Sequence, residues 1–343
     1  MTRKLEIGYI GNGKSVNRYH VPFVLTRQDT MHIHKIWTRN HAEDIWDEIP
    51  GTIYTEDLND LLNDPVVDVI VVNTPSAFHY QYAKQVIEAG KHCLVEKPFT
   101  QKLSETKELF ALAEEKGVIL EGYQNRRFDS DYLTVQKVIE SGKLGDLLEV
   151  ESHYDYFRPE VPESVDHYSR DTSFIYNHAC HTFDQIIALF GKPDHVHYDV
   201  RELLGEDRMN DYFDVDMYYG TLKVSVKSSY FRIKARPKYV LYGKKGMFVK
   251  QNDDKQEADL KKFYMPGQPG FGTDTPEEYG VLTYMDDNGV YHEEKVISEQ
   301  GDYARYYDSL YETIINGKKP LVKREQTEYL IQMLEEAVAN LEK

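Results

Sequence analysis

The sequence predicts an α/β fold in two parts. Residues 1–125 form a doubly wound parallel sheet, and residues 126–343 an α+β part with a large, mostly antiparallel open sheet. Three observations predict it. Apolar strand-like runs alternate with segments of helical spacing through the first third, as βαβ units require. After about residue 125 this gives way to successive strand-like runs separated by turn residues. The length, 343 residues, suits about two domains.

Leu5–Ile10 is a short apolar run that ends in glycines, and Met31–Trp37 is the second strand. Val66–Val72 is almost continuously β-branched, as a strand covered on both faces must be. His92–Val95 and Val118–Leu120 complete the set. Between them, Thr55–Leu62, His79–Ala89 and Ser104–Lys116 have helical spacing, the last two stopped by Gly90 and Gly117. In the second part a helix over Leu133–Glu140 ends at Ser141-Gly142. Strands are expected at Leu148–Tyr156, Val196–Arg201, Asp214–Tyr219, Thr221–Phe231 and Tyr239–Tyr242. Val281–Met285 and Val290–Val296 flank Asp286-Asp287-Asn288-Gly289, a hairpin signal. Helices are expected over Asn177–Phe190, Tyr303–Ile315 and Glu325–Leu341. The last has one apolar face and is the candidate to pack back near the first part. Gln251–Gly272 is polar and rich in Gly and Pro, so it reads as a long loop.

Composition removes several function classes. Lys+Arg number 41 against 58 Asp+Glu, a net charge of −17, so no basic field exists to coat nucleic acid or an anionic membrane. No apolar run approaches the roughly 20 residues of a membrane span. The first residues lack the apolar stretch of a signal peptide. Cys93 and Cys180 are the only cysteines, too few for a disulfide framework, so a reducing, cytoplasmic location is expected. The sequence contains no Gly-x-Ser-x-Gly elbow and no complete Walker A loop around Lys14-Ser15. His32/His34 and His195/His197 have strand spacing with no third ligand nearby in sequence, so no metal site is expected.

Ile10-Gly11-Asn12-Gly13-Lys14-Ser15-Val16 follows the first strand. Gly11 and Gly13 match the first two glycines of G-x-G-x-x-G, which permit a tight turn and close approach to a pyrophosphate. Val16 stands where the third would be, so an ordinary strand–helix turn is the alternative; the place in the first βαβ unit favours the phosphate. Lys14 and Ser15 complete the candidate loop contacts. A dinucleotide unit that prefers NAD puts an acid after its second strand. Here Thr38-Arg39-Asn40-His41 follows, with no acid before Glu43. Thr38 and Arg39 suit a 2′-phosphate, so NADP(H) is favoured over NAD(H).

The most specific segment is His92-Cys93-Leu94-Val95-Glu96-Lys97-Pro98-Phe99. It sets a lysine just beyond a buried strand, at the edge where open α/β sheets bind ligands. With the glycine loop, Asn73-Thr74-Pro75-Ser76, His79, Gln124-Asn125-Arg126-Arg127-Phe128 and His181-x-x-Asp184, it makes the chain resemble the Gfo/Idh/MocA oxidoreductases over nearly its whole length. The run Asp155-Tyr156-Phe157-Arg158-Pro159-Glu160-Val161 is similar to the branch that holds NADP-dependent scyllo-inositol dehydrogenases. The resemblance implies that Asn73, Thr74, Pro75 and His79 line the cofactor path and that Glu96 and Pro98 shape the loop at the nicotinamide. It further implies that Lys97 reaches the oxygen that changes oxidation state and that His181 moves its proton.

Relatives carry Asp-x-Gly-x-His where this chain has Asn177-His178-Ala179-Cys180-His181. Asn177 and His181, four apart on a helix, share a face, so they are the expected working pair, with His178 as a stand-in. Tyr123, Asn125, Arg127, Tyr156, Arg158 and His178 are the candidate substrate contacts, and Glu163–Thr172, with His167 and Tyr168, is a candidate lid. A polyhydroxylated small molecule fits these residues better than a lipid. The expected activity is hydride transfer between the nicotinamide and a cyclitol or sugar. A redox-neutral glycoside-cleaving enzyme and a non-catalytic cofactor-binding regulator are the alternatives. A broad open sheet face predicts a homodimer or homotetramer packed through it.

Overall fold

The computed structural model describes residues 3–43, 45–160, 169–205 and 209–342. The chain forms two compact units. The first comprises Met1–Asn125, Asp259–Phe271 and Tyr303–Gln332; the second comprises Arg126–Ala258, Gly272–Asp302 and Met333–Lys343.

The first unit holds six strands: β1 (Leu5–Ile10), β2 (Met31–Trp37), β3 (Ile53–Thr55), β4 (Val69–Val72), β5 (His92–Val95) and β6 (Leu120–Gly122). They form one parallel sheet in the order β3-β2-β1-β4-β5-β6. β4 is buried throughout, as its four β-branched residues require. It is shorter than the apolar run suggests. Val66 is exposed, and the Val67 carbonyl accepts from Lys91 Nζ at 2.9 Å, so the first valines belong to a turn. β6 starts later than expected, because Val118 N closes the preceding helix on Ala113 O at 3.0 Å. β3 replaces the start of the expected helix over Thr55–Leu62: Asp57 caps a shorter one by accepting from Asn59 N at 2.9 Å.

The glycine loop leads into an irregular helix. Residues Val16–His20 make a widened turn in which Val21 N bonds back to Val16 O, and α1 (Val21–Val24) follows with Pro22 in its first turn. Proline has no amide to donate, and widened turns of this kind gather at functional sites. The other helices are α2 (Leu58–Leu62), α3 (His79–Glu88), α4 (Leu103–Lys116), α5 (Ser130–Glu140), α6 (Phe174–Phe190), α7 (Gln256–Lys261), α8 (Ala304–Asn316) and α9 (Arg324–Val338). α8 packs on β1 and α1 within the first unit, burying Tyr306, Tyr307 and Leu310.

The second unit carries eight strands: β7 (Leu147–His153), β8 (His195–Arg201), β9 (Tyr212–Tyr219), β10 (Leu222–Ser229), β11 (Tyr239–Gly243), β12 (Gly246–Lys250), β13 (Gly280–Met285) and β14 (Tyr291–Val296). Their order is β14-β13-β12-β11-β7-β10-β9-β8. Every junction is antiparallel except β7 with β10. α6 packs on β9 and β10, where Phe213, Val215, Met217, Val224 and Val226 alternate into the core. The expected hairpin is present: Asp286 Oδ1 accepts from Asn288 N and Val290 N, both at 2.9 Å, and Gly289 sits at φ +76°. The expected loop over 251–272 contains α7, with Gln256 and Leu260 fully buried. No helix among the described residues is long and apolar enough to cross a membrane.

Candidate active site

The first unit opens a cavity of about 720 Å³ at the carboxyl ends of β1, β2 and β4. Its walls include Gly11, Gly13, Thr38, Arg39, Glu43, Asn73, Thr74 and Pro75. Gly11 sits at φ +110°, and a Cβ there would come within 2.4 Å of Asn73 O, so the turn presses against the next strand end as only glycine allows. A Cβ on Gly13 would meet nothing within 4 Å, leaving open space before the loop. Asn73 Nδ2 is buried with no hydrogen-bond partner among the described residues. A turn that requires glycine, open space ahead of it and an uncommitted buried donor all fit a dinucleotide held across these strand ends. Thr38 is buried and Arg39 exposed on the wall. Lys14 is exposed and does not line this cavity.

Ser15 and His79 both bond to the Glu-Lys-Pro turn. Ser15 Oγ donates to Glu96 Oε1 at 3.0 Å. His79 is buried behind the crevice, with Nδ1 2.8 Å from Pro98 O and Nε2 2.9 Å from Thr74 O. It therefore ties the strand end that carries Thr74 to the Glu-Lys-Pro turn. Burial pushes its pKa below the ordinary imidazole value against the pull of the two carbonyls. A neutral ring has one N–H, so it donates to one of these carbonyls at a time.

Glu96 follows β5 and is almost wholly buried. Its Oε2 accepts from Lys97 N at 2.7 Å, and its Oε1 lies 2.8 Å from His20 Nε2. Burial pushes the carboxyl up. The hydrogen bond and charge of His20, then the Lys97 charge and amide, outweigh it and hold the pKa at about 2. Lys97 is half-buried, and the Lys97–Pro98 peptide is cis. His20, together with Tyr9 and Tyr307 beyond it, is absent from the sequence-derived set. No local pattern links residue 20 to residue 96.

Two of the expected substrate contacts are engaged elsewhere. Tyr123 is buried, stacks on His20 with ring centres 4.2 Å apart, and donates to Tyr19 O at 2.8 Å. Arg127 binds Asp184 with two parallel bonds, Nε to Oδ2 at 2.8 Å and Nη2 to Oδ1 at 2.7 Å, both side chains buried. That fork geometry commits the guanidinium to the fold. Asn125 is buried too.

In the second unit, α6 carries Asn177, His178 and His181. Asn177 Nδ2 donates to Ser173 O at 3.1 Å and Asp171 O at 2.8 Å. A carboxylate there would set its oxygens against two carbonyls, so the amide suits this helix start and keeps Oδ1 as an acceptor. His178 lies in an aromatic cluster, Nδ1 3.3 Å from Tyr156 Oη and Nε2 3.1 Å from Tyr230 Oη. Arg158 is exposed and stacks over Tyr156 at 4.8 Å. His181 is buried in the same helix. The candidate lid lies for the most part outside the described residues, including His167 and Tyr168.

The sequence matches the family described as "Oxidoreductase family, NAD-binding Rossmann fold" over residues 5–123, and "Oxidoreductase family, C-terminal alpha/beta domain" over residues 136–342. The chain belongs to the Gfo/Idh/MocA oxidoreductases. It is 47% identical over 332 residues to the uncharacterized oxidoreductase YhhX of Escherichia coli (strain K12), covering 96% of this chain and 95% of that one. It is 32% identical over 335 residues to scyllo-inositol 2-dehydrogenase (NADP(+)) IolW of Bacillus subtilis (strain 168), covering 97% and 93%. A crystal structure of a probable oxidoreductase yhhX superposes with a TM-score of 0.93 at 45% identity, covering 98% of this chain and 96% of that one.

The protein is thus an NAD(P)-dependent dehydrogenase or reductase of the Gfo/Idh/MocA type. One expectation outside the family motifs needs correction. The strand pair His32/His34 does have a third group beside it, supplied by the neighbouring strand: Glu6 pairs with His32 in the register, and Oε2 lies 2.6 Å from His32 Nδ1. His34 Nε2 lies 3.2 Å from Asp64 Oδ2, which also binds Lys35. Sequence spacing along one strand cannot show what the adjacent strand contributes.

Proposed function

We propose that the protein transfers hydride between NADP(H) and a hydroxyl or keto carbon of a cyclitol or sugar-like substrate. The observation that carries the cofactor choice is the wall after β2, where Thr38 and Arg39 line the cavity and no acid precedes Glu43. The nicotinamide, when bound, takes or gives the hydride. Lys97 sets its ammonium against the oxygen as it becomes an alkoxide. The imidazole of His181 accepts the hydroxyl proton in oxidation and returns it in reduction. Asn177 offers Oδ1 to a substrate hydroxyl. Tyr156, Arg158 and His178 contribute donors around the ring. The kinship with a scyllo-inositol 2-dehydrogenase supports a polyhydroxylated ring as substrate.

Glu43 lies on the same wall and supports a second reading, in which its carboxylate accepts from the 2′-hydroxyl of NAD(H). Calorimetry with NADP(H) and NAD(H) decides between them. Arg39→Asp is expected to weaken NADP(H) by roughly 10- to 100-fold, the worth of charge-assisted hydrogen bonds, and to leave NAD(H) nearly unchanged. Equal losses for both cofactors remove Arg39 from the phosphate site. A matching loss of NAD(H) in Glu43→Gln supports the second reading. Net turnover of NADP+ on a cyclitol and sugar panel then identifies the substrate class. We further propose a cytoplasmic homo-oligomer packed through the open sheet. Exposed Leu148, Tyr242 and Met285 on its strands support this, and a monomer in light scattering would exclude it.

A further inference from the structure

A buried chain of hydrogen-bonding groups runs from the body of the first unit to the Glu-Lys-Pro turn. Tyr9 Oη on β1 lies 2.9 Å from Tyr307 Oη on α8. Tyr307 Oη lies 2.6 Å from His20 Nδ1, and His20 Nε2 lies 2.8 Å from Glu96 Oε1. All three links are buried. The four residues come from β1, the widened turn after the glycine loop, the end of β5 and α8, so 298 positions separate the outermost pair.

The order of donors follows from the end group. An ionised carboxylate only accepts, so Nε2 of His20 carries a hydrogen and donates to Glu96. On its other side, Nδ1 bonds the Tyr307 hydroxyl, which bonds the Tyr9 hydroxyl in turn. Both phenols stay protonated because burial pushes them up. Tyr123 stacks on the His20 ring and holds its plane. At the far side of Glu96, Oε2 receives the Lys97 amide.

We propose that His20 is a positioning residue for Lys97: its Nε2–H fixes the Glu96 carboxylate, which in turn fixes the backbone of the Glu-Lys-Pro turn. This rests on the reading of Lys97 as the residue at the reacting oxygen. The family motifs do not include His20, and no chemistry of its own is assigned to it. The titratable groups that face Glu96 are Lys97 in its own turn, His20 and Tyr307 beyond it, and His79 from α3. Tyr9 from β1 and Tyr123 from the strand β6 edge stand behind His20.

Two substitutions separate the proposal from a general loss of stability. Gln places its amide nitrogen where Nε2 stands, so His20→Gln keeps the donor to Glu96. Asn places its amide near Nδ1, so His20→Asn keeps only the side toward Tyr307. With NADP+ and scyllo-inositol as the probe pair, His20→Asn is expected to lower kcat by about 10- to 100-fold, as displaced catalytic groups do. Substrate KM is expected to stay within a factor of about 3, and the acid limb of the pH profile to move to higher pH, because Glu96 loses a partner that keeps it ionised. His20→Gln is expected to recover most of kcat. Equal kcat in the two variants, or a wild-type profile in His20→Asn, overturns the proposal. Hydrogen exchange at the Lys97 amide reads the same link without substrate. It is expected to speed up at least ~10-fold in His20→Asn and less in Tyr307→Phe, which also serves if His20→Asn does not fold. Unchanged exchange in both overturns the proposal. Lys97→Ala run in parallel isolates the other premise: full turnover there removes Lys97 from the chemistry, while the exchange result still judges His20.

Discussion

Each unit buries a carboxylate site, and the two have opposite electrostatic outcomes. In the first unit Glu96 is held at about 2, although burial pushes it up, because His20, Ser15, the Lys97 amide and the Lys97 charge all favour the anion. In the second unit Asp131 and Asp254 are both raised to about 7. Burial is again the largest cause, but here it wins. The two carboxyls interlock through backbone amides, Asp254 N to Asp131 Oδ2 at 2.9 Å and Ser130 N to Asp254 Oδ2 at 2.8 Å. The charge of Asp131 raises Asp254 further, Asp129 and Asp253 raise Asp131, and Asp131 Oδ1 has no hydrogen-bond partner among the described residues. The nearby Lys250 is engaged with Asp274 at 2.8 Å. Depth alone therefore does not set the charge of a buried acid. The supply of donors and cations does, and the first unit concentrates that supply at the turn that carries Lys97.

Asp184 tests the role of cations most severely, because its buried carboxylate lies in the fork of the Arg127 guanidinium. Arg127→Ala leaves it buried without its fork and is expected to cost about 3–5 kcal/mol of unfolding free energy. Urea denaturation measures it, and a loss below about 1 kcal/mol would mean that the pair counts as a surface bridge does. The next effect is in pH. Asp131 and Asp254 titrate higher in the folded chain than their usual 3.8, so the folded state binds more protons between these values. Their contribution is full below about pH 4 and is lost as pH rises through 7. His153 opposes this, since burial lowers it to about 4 and its protonation on acidification costs stability. The variant is therefore the sharper measurement: Asp131→Asn should raise the melting temperature at pH 8 relative to pH 5, compared with wild type. An unaltered pH dependence would return Asp131 to an ordinary carboxylate. Glu96 has the reverse sign, with its contribution present above about pH 4.5 and lost as pH falls through 2. Asn177→Ala removes two donors to backbone carbonyls and is expected to cost about 1 kcal/mol, read by the same denaturation. The smallest effect belongs to Lys244→Ala, whose partner Asp146 is itself exposed. No shift in melting temperature is expected there.

The sequence made the strands of the parallel sheet legible where apolar runs met glycines or turn residues. Leu5–Ile10, Met31–Trp37 and His92–Val95 have the bounds that their patterns indicate. β12 escaped notice, because Gly246–Lys250 is five residues long and follows Gly243-Lys244-Lys245, which reads as a turn. α7 escaped because its polar surroundings outweighed one buried turn. At the site, the glycine loop and Glu96-Lys97-Pro98 announce themselves by local spacing. The second layer does not. His20 meets Glu96 across 76 positions and Arg127 meets Asp184 across 57, and one sequence carries no signal for pairs so far apart. Tyr123 and Arg127 show the same limit: a polar side chain after a strand looks available until its distant partner is known.

The place of Tyr307 in the chain has a consequence for synthesis. A nascent chain that has emerged as far as residue 300 already contains all six parallel strands, the glycine loop and Lys97. It does not yet contain Tyr307, nor Tyr306, whose hydroxyl donates within reach of Glu121 Oε1 and Gly122 O on β6. Until α8 leaves the ribosome, His20 lacks its Tyr307 partner and β1 lacks one of its covers. The first unit to be started is thus among the last to be finished, and a chain released early would carry the glycine loop and the Glu-Lys-Pro turn without Tyr307 behind His20.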